Sequence, residues 1–384
     1  TKQTMRTKAI FLLSLAMLCA NCSQNLEEET VEPNALEGLN LPDSWYNYAN
    51  PDLPDHFLVN DIRRIDNTPT NNQITNAGAT LGRVLFYDVR LSANNTVSCA
   101  SCHMQAKGFS DSRTRSLGFE GEETGRNSMG LANARYYNNG SFFWDERATS
   151  LEAQVLMPIQ DEVEMGLTLD ELVAKVQAQP YYEPLFFDAF GSSAVTADRI
   201  ANSLAQFVRA MVSYQAPYDF GLVAANGNSN ARFSNFTELE NLGKDLFFSR
   251  RTQCSNCHET VAFSGDRARN NGLNANSTDL GLGAVTGNQR DNGKFKVNSL
   301  RNIELTSPYM HDGRFETLEE VIDFYNRGVQ NHPNLDDRLR EGNNRAIRMN
   351  LNAEEQQALV AFLRTLTDQS FISDEKFSNP FGND

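Results

Sequence analysis

Positive charge is in short supply in this chain: 34 lysines and arginines stand against 49 aspartates and glutamates in 384 residues, a formal net charge of −15. That balance argues against nucleic acid as a partner, because binding to a phosphate backbone rests on clustered lysine and arginine. Long apolar runs are missing as well. The apolar stretch Ala9–Ala20 is too short to span a bilayer, which takes about 20 apolar residues, and polar, acidic sequence follows it at once. No strand-rich run competes with the helical periodicity along the rest of the chain. Histidine is scarcer still: there are five, and none lies between His103 and His258.

The N-terminal stretch MRTKAIFLLSLAMLCANCSQ has a basic start, a short apolar core and a cysteine among small residues, which is the pattern of an export signal. Cys22, preceded by Ala20 and Asn21, resembles the acceptor cysteine of a bacterial lipoprotein, with Cys19 standing where an aliphatic residue is usual. Residues 1–22 are therefore expected to be a lipoprotein-type signal, with the mature protein in the periplasm and held to the membrane only through lipid on Cys22. Residues 23–70, rich in Asn, Pro, Glu and Asp, read as a tether from that anchor to the body.

Four cysteines remain, in two CxxC pairs, each followed at once by histidine: Cys99, Cys102 and His103, then Cys254, Cys257 and His258. A two-residue spacer is a poor structural staple and gives no reason for the histidines. Zinc or a redox disulfide are alternatives for such spacing, but CxxCH is the unit that attaches haem c. The thiols form thioethers to the haem vinyl groups, and the histidine is fixed beneath the iron as its proximal ligand. The similarity extends upstream, where LGRVLFYDVR and LGKDLFFSRR align Leu81, Gly82, Leu85, Phe86 and Arg90 with Leu242, Gly243, Leu246, Phe247 and Arg250. A duplicated module is implied.

The fold expected from these patterns is mainly α, with two cytochrome c-like domains and one covalent haem in each. TNAGATLGRVLFYD and NFTELENLGKDLFFS read as lead-in helices to the two motifs, and Thr168 and Glu171 have capping-box spacing. TADRIANSLAQFVRAMVSY carries Ile200, Leu204, Phe207, Val208 and Met211 on one stripe. The pattern breaks between 217 and 235, so the domains are placed at 71–225 and 226–384.

Two haems alone would suit an electron carrier, so the question is whether an iron is open. Near the first motif the sulfur candidates are Met104, adjacent to His103 and unable to reach the opposite face, and Met129. A vacant or water-filled sixth position is the simplest reading. Cleaving a peroxide O–O bond at such an iron requires proton transfer from one oxygen to the other.

The segment FWDERATSLEAQ…PIQDEVEMG closely resembles the corresponding part of bacterial dihaem cytochrome c peroxidases and the related MauG enzymes. The resemblance covers roughly residues 70–370. It implies that Trp144 lies between the haems and that Gln154 and Glu164 line the peroxidatic pocket, with Pro158 at a pocket proline. By themselves Trp144 could be core, Gln154 solvent-facing and Glu164 one exposed carboxylate among several. The stretch LTSPYMHDGRFETLEEVIDFYNRG again resembles the family, and counting from Glu319 and Glu320 puts Tyr325 at the sixth-ligand position of the second haem. The peroxidases have methionine there and MauG-type enzymes tyrosine. Met310 is the rival ligand, and Leu318, Ile322 and Tyr325 also share a stripe that a core tyrosine would occupy. The family's interdomain calcium points to Asn127, Thr306 and Pro308, whose amide and carbonyl oxygens suit a hard cation. His311 is expected near the second haem, His56 and His332 at the surface.

Taken together, the resemblance implies a peroxidase-type oxidoreductase that reduces hydrogen peroxide with electrons from a small cytochrome c or copper protein, as monomer or homodimer. Loss of residues 1–21 removes Lys2, Arg6 and Lys8 and takes the net charge from −15 to −18, which favours encounter with a basic carrier. Many family members block the peroxidatic haem with a histidine until the other haem is reduced. No such histidine follows His103, so reaction without reductive activation, through a bis-ferryl state spread over both haems, is expected. MauG-like oxidation of Trp or Tyr in a partner protein and a non-catalytic dihaem electron-transfer role are the alternatives.

Overall fold

The computed structural model describes residue 36 and residues 38–343 and 345–382. The expected signal, Cys22 and the first part of the expected tether lie outside them. Among the described residues the structure is helical, with β-pairing confined to isolated bridges. No helix among them is long and apolar enough to cross a membrane.

Each module is built around one close helix crossing. The lead-in helix Asn76–Tyr87 crosses helix Ala197–Ala210 at Gly82, where a Cβ would sit 2.0 Å from the Ser203 carbonyl oxygen. Lead-in helix Glu238–Phe247 crosses helix Ala353–Arg364 at Gly243, where a Cβ would sit 1.8 Å from the Ala358 carbonyl oxygen. The aligned glycines thus do the same job twice: they let two backbones approach where no side chain fits. Leu81, Leu85 and Phe86 fill the first core and Leu246 and Phe247 the second, and the stripe Ile200, Leu204, Phe207, Val208 and Met211 is buried throughout. Thr75 and Thr237 cap the lead-in helices, and Thr168 and Glu171 form the expected capping box.

Three features differ from the sequence expectation. The segment read as tether is packed on the body from Leu39 onward. Leu39, Leu41, Trp45 and Tyr46 lie against the first core, Tyr48 is 2% exposed, and Phe57 and Ile62 form a small core with Tyr136, Val212 and Ala262 between the modules. Its polar composition hid the few aromatic residues that carry most of its burial. Secondly, helix Pro217–Ala224 contributes Tyr218 and Leu222 to the second core, so the structural join precedes it, ahead of the expected boundary at 225. Thirdly, the C-terminal segment returns to the first module: Phe371 and Phe377 enter its core, and Arg83 Nε donates to the Ser378 carbonyl at 2.7 Å. His56 and His332, expected at the surface, are 8% and 5% exposed. His56 Nε2 lies 3.0 Å from Asp219, which also takes a two-pronged contact from buried Arg301 at 2.5 and 2.8 Å.

Candidate haem sites and the segment between them

The two CxxCH motifs end in the same local device. His103 Nδ1 donates to the Phe109 carbonyl at 2.9 Å, and His258 Nδ1 donates to the Phe263 carbonyl at 3.2 Å. Both phenylalanines have left-handed backbones, with φ of 59° and 50°, a conformation rare for a bulky residue. The reversal turns each carbonyl back onto the imidazole. With Nδ1 spent as a donor, Nε2 is the lone-pair nitrogen, which is how proteins fix the tautomer of a metal-binding histidine. Burial holds His103 below the usual imidazole range and His258 down to about 4, so both rings are neutral at physiological pH.

The thiols point the same way. Burial pushes Cys99 up to about 12, Cys102 and Cys257 to about 11, and Cys254 upward as well. Redox-active cysteines need a depressed pKa in electropositive surroundings, so a dithiol redox centre does not fit. Among the described residues there is no group of three or more His, Cys, Asp and Glu side chains able to hold a metal ion. Paired thiols beside a neutral, oriented imidazole fit a covalently attached haem at each motif.

Around the first motif, Glu164 is half-buried and close enough to Cys99 and Cys102 to act on both electrostatically. Burial, and then the Asp161 carboxylate, push its carboxyl up to about 7, against the pull of Arg147. Gln154 and Pro158 stand one turn apart on helix Leu151–Gln160, both half-buried. Pro158 has no N–H to offer the Gln154 carbonyl, which leaves that oxygen without its helical donor. Met129 lies beside His103. Its backbone bonds to His103, the hydroxyl of neighbouring Ser128 lies 3.3 Å from His103 Nδ1, and Met129 lines the second cavity.

That second cavity is mostly apolar, and its lining includes Cys254, Cys257, His258, Met310, His311 and Tyr325. Both candidate axial ligands therefore face it. Tyr325 sits in a single π-helical turn, Phe324–Gly328, that ends helix Leu318–Asp323. Such turns recur at functional sites because they re-aim one side chain. Asn271, which sequence reasoning did not single out, lies between the rivals: its Nδ2 donates to Tyr325 Oη at 3.4 Å and to Met310 Sδ at 3.5 Å. Its Oδ1 accepts from Leu273 N at 3.2 Å, a local turn that fixes which way the amide points. Burial pushes the Tyr325 phenol up to about 12, with Asn271 pulling it down. His311 is stacked on Phe295 with centroids 3.7 Å apart.

Trp144 lines the same cavity, and its indole N–H donates to the Asn127 carbonyl at 2.8 Å. Residues 127–129 run from that hydrogen bond to the first site, where Ser128 Oγ donates to the Cys102 carbonyl at 2.7 Å. Asn127, Thr306 and Pro308 also border the cavity together. Asn127 Nδ2 donates to the carbonyls of Arg113 and Thr114 at 3.2 and 3.3 Å, which turns its Oδ1 the other way.

A family model described as di-haem cytochrome c peroxidase matches residues 76–226. The chain is 36% identical over 309 residues to the methylamine utilization protein MauG of Methylorubrum extorquens, covering 78% of this chain and 80% of that protein. The chain belongs to the dihaem cytochrome c peroxidase and MauG family. It is 35% identical to the cytochrome c551 peroxidase of Nitrosomonas europaea, over 78% of this chain and 81% of that one. Among solved structures, a MauG-like protein associated with microbial copper homeostasis superposes with a TM-score of 0.76 at 33% identity, covering 87% of this chain and 99% of that chain. Like its relatives it is an oxidoreductase of the peroxidase type, and the family carries two c-type haems.

Proposed function

We propose that this enzyme reduces hydrogen peroxide to water at the first motif, without prior reduction, using electrons that enter through the second. The observation that carries the reading is Glu164: a carboxyl raised to about 7 beside Cys99 and Cys102, in a chain with no histidine between His103 and His258. A general base works best when its pKa lies near the operating pH. Haem would supply the iron and the electron storage, while the protein supplies access, orientation and protons. Glu164 takes the proton from one peroxide oxygen and returns it to the other, Gln154 orients the bound peroxide, and Trp144 carries electrons between the sites. The electron donor is a small cytochrome c or copper protein that meets an acidic surface, and the enzyme acts as monomer or homodimer. Its place is the periplasm, tethered by lipid on Cys22.

Calcium belongs to the same proposal. The Asn127 amide oxygen, left over after its Nδ2 donates twice, would join the Thr306 and Pro308 carbonyls in an oxygen-only set that suits a hard cation.

One observation favours a second reading, MauG-like oxidation of Trp or Tyr in a partner protein. Tyr325 reaches the second cavity with its hydroxyl oriented by Asn271, and an oxygen ligand favours the higher oxidation states of iron whereas a thioether favours the ferrous state. The deciding experiment adds one equivalent of hydrogen peroxide to the all-ferric holoenzyme and follows visible and near-infrared spectra by stopped flow. Rapid reaction is expected, with a near-infrared band from charge shared between the haems. Reaction only after reduction of one haem would overturn the ungated mechanism.

A further inference from the structure

A buried polar cluster behind Trp144 takes no part in proton transfer at Glu164. Tyr137 is 1% exposed, and its hydroxyl donates to one carboxylate oxygen of buried Glu146 in a short hydrogen bond. Asn139 Nδ2 donates to the other oxygen at 2.7 Å. With both oxygens accepting, Glu146 meets the phenol as a carboxylate. Its backbone is left-handed, with φ of 56°, a conformation that a residue other than glycine keeps only where its surroundings impose it.

The cluster is wired to the space between the haem sites. Lys296 Nζ stands 3.0 Å from the centroid of the Tyr137 ring and donates to the Ser141 carbonyl at 2.8 Å. The backbone N–H of Lys296 donates to the Trp144 carbonyl at 2.7 Å, and Lys296 and Trp144 both line the second cavity. Burial holds the Lys296 amine well below the usual ammonium range.

We propose that Tyr137 is a redox-active tyrosine that gives an electron to the haem pair by way of Trp144 while passing its phenolic proton to Glu146. This rests on the peroxide-reducing reading above. Taking hydrogen peroxide to two waters consumes two electrons and two protons; with no donor protein present both electrons would be drawn from the haem pair, with protons from solvent, and Tyr137 then returns one electron to that pair. Its O–H bond breaks, the proton moves onto the Glu146 carboxylate, and a neutral phenoxyl radical remains. An electron from the donor and the proton held by Glu146 restore the phenol. Moving the proton with the electron avoids a phenol radical cation, a high-energy species that a tyrosine without an adjacent base would have to form. The pair thus serves as a reserve of one reducing equivalent, protecting the haems when peroxide arrives ahead of the donor.

The test is freeze-quench electron paramagnetic resonance of the ferric holoenzyme after one equivalent of hydrogen peroxide, with and without ring-deuterated tyrosine. A narrow organic radical is expected, narrower on deuteration and absent in Tyr137→Phe. In Glu146→Gln it should form about 100-fold more slowly, the scale of a lost general base. A visible spectrum that responds to peroxide without any tyrosyl signal, or a signal that persists in Tyr137→Phe, overturns the assignment while leaving the peroxidase reading standing. No visible response to peroxide overturns both. Should Tyr137→Phe fail to fold, an unchanged rate of radical formation in Glu146→Gln overturns the assignment by itself.

Discussion

Replacing Glu164 by glutamine keeps the shape of the side chain and removes its capacity to take a proton. With the carboxyl near pH 7, about half of the molecules carry the basic form at pH 7, about a tenth at pH 6 and about nine tenths at pH 8. The sign follows from the cause. Burial and Asp161 disfavour the charged form, so the base is lost as pH falls through 7, where an ordinary solvated carboxylate would stay ionised. The rate of reaction of the ferric enzyme with peroxide should therefore drop about fivefold from pH 7 to pH 6 and rise less than twofold from pH 7 to pH 8. Glu164→Gln should be slower by about 100-fold to 10,000-fold, roughly 3 to 5 kcal/mol in the barrier, and should lose this pH dependence. The assay is the second-order rate constant from stopped-flow absorbance across the pH range. A variant within about threefold of the parent, with the same profile, would refute the assignment of Glu164 as the base. A profile centred near the solution value of a glutamate would refute the claim that burial has moved it.

Three further outcomes follow from the geometry. Tyr325→Phe should introduce a high-spin component at the second haem, whereas Met310→Leu should not, and resonance Raman spin-state markers distinguish the two. Gly82→Ala and Gly243→Ala should each destabilise their module by about 1 to 3 kcal/mol, because overpacking against a backbone carbonyl outweighs a gain of about 1 kcal/mol in helix propensity. Gly125→Ala, whose new Cβ meets nothing within 4 Å, is the control, and thermal unfolding monitored by circular dichroism is the readout. Calcium binding to chelator-treated protein should appear in titration calorimetry and be lost in Asn127→Ala. Equal heats in parent and variant would remove Asn127 from the site.

What the sequence disclosed tracks how local each constraint is. Covalent haem attachment needs two thiols and a histidine within five residues, so it is written contiguously at 99–103 and 254–258. The helix crossings at Gly82 and Gly243 could be aligned because the lead-ins repeat. The carbonyls that orient His103 and His258 come from Phe109 and Phe263, whose left-handed backbones carry none of the usual glycine or asparagine signal. Asn271 reaches Tyr325 across 54 positions and His56 reaches Asp219 across 163, and no periodicity reports such pairs. The segment from Leu39 to Ile65 looked like a tether because composition averages over residues, whereas burial is carried by a few: Tyr48, Phe57 and Ile62. The return of Phe371 and Phe377 to the first core left no mark that a single chain could show.

The two modules share the proximal half of their chemistry and diverge on the other half. Each orients its histidine with a phenylalanine carbonyl five or six residues downstream. Beyond that, the first module carries a long connection between Tyr137 and Thr168 that brings in Trp144, Gln154 and Glu164, and its titratable group is a carboxyl near neutrality. The second module lines its cavity with Met310 and Tyr325, neither of which titrates near pH 7. On the proposed function, proton handling falls to the first copy of the fold and electron storage to the second. Residues 127–129 make the division workable, because one short strut touches His103, holds the Trp144 indole and borders the second cavity. Any displacement of that strut acts on both haem sites at once, so Ser128→Ala should perturb the spectra of both haems. A change confined to the first would mean that the strut positions His103 alone and that Trp144 is held independently.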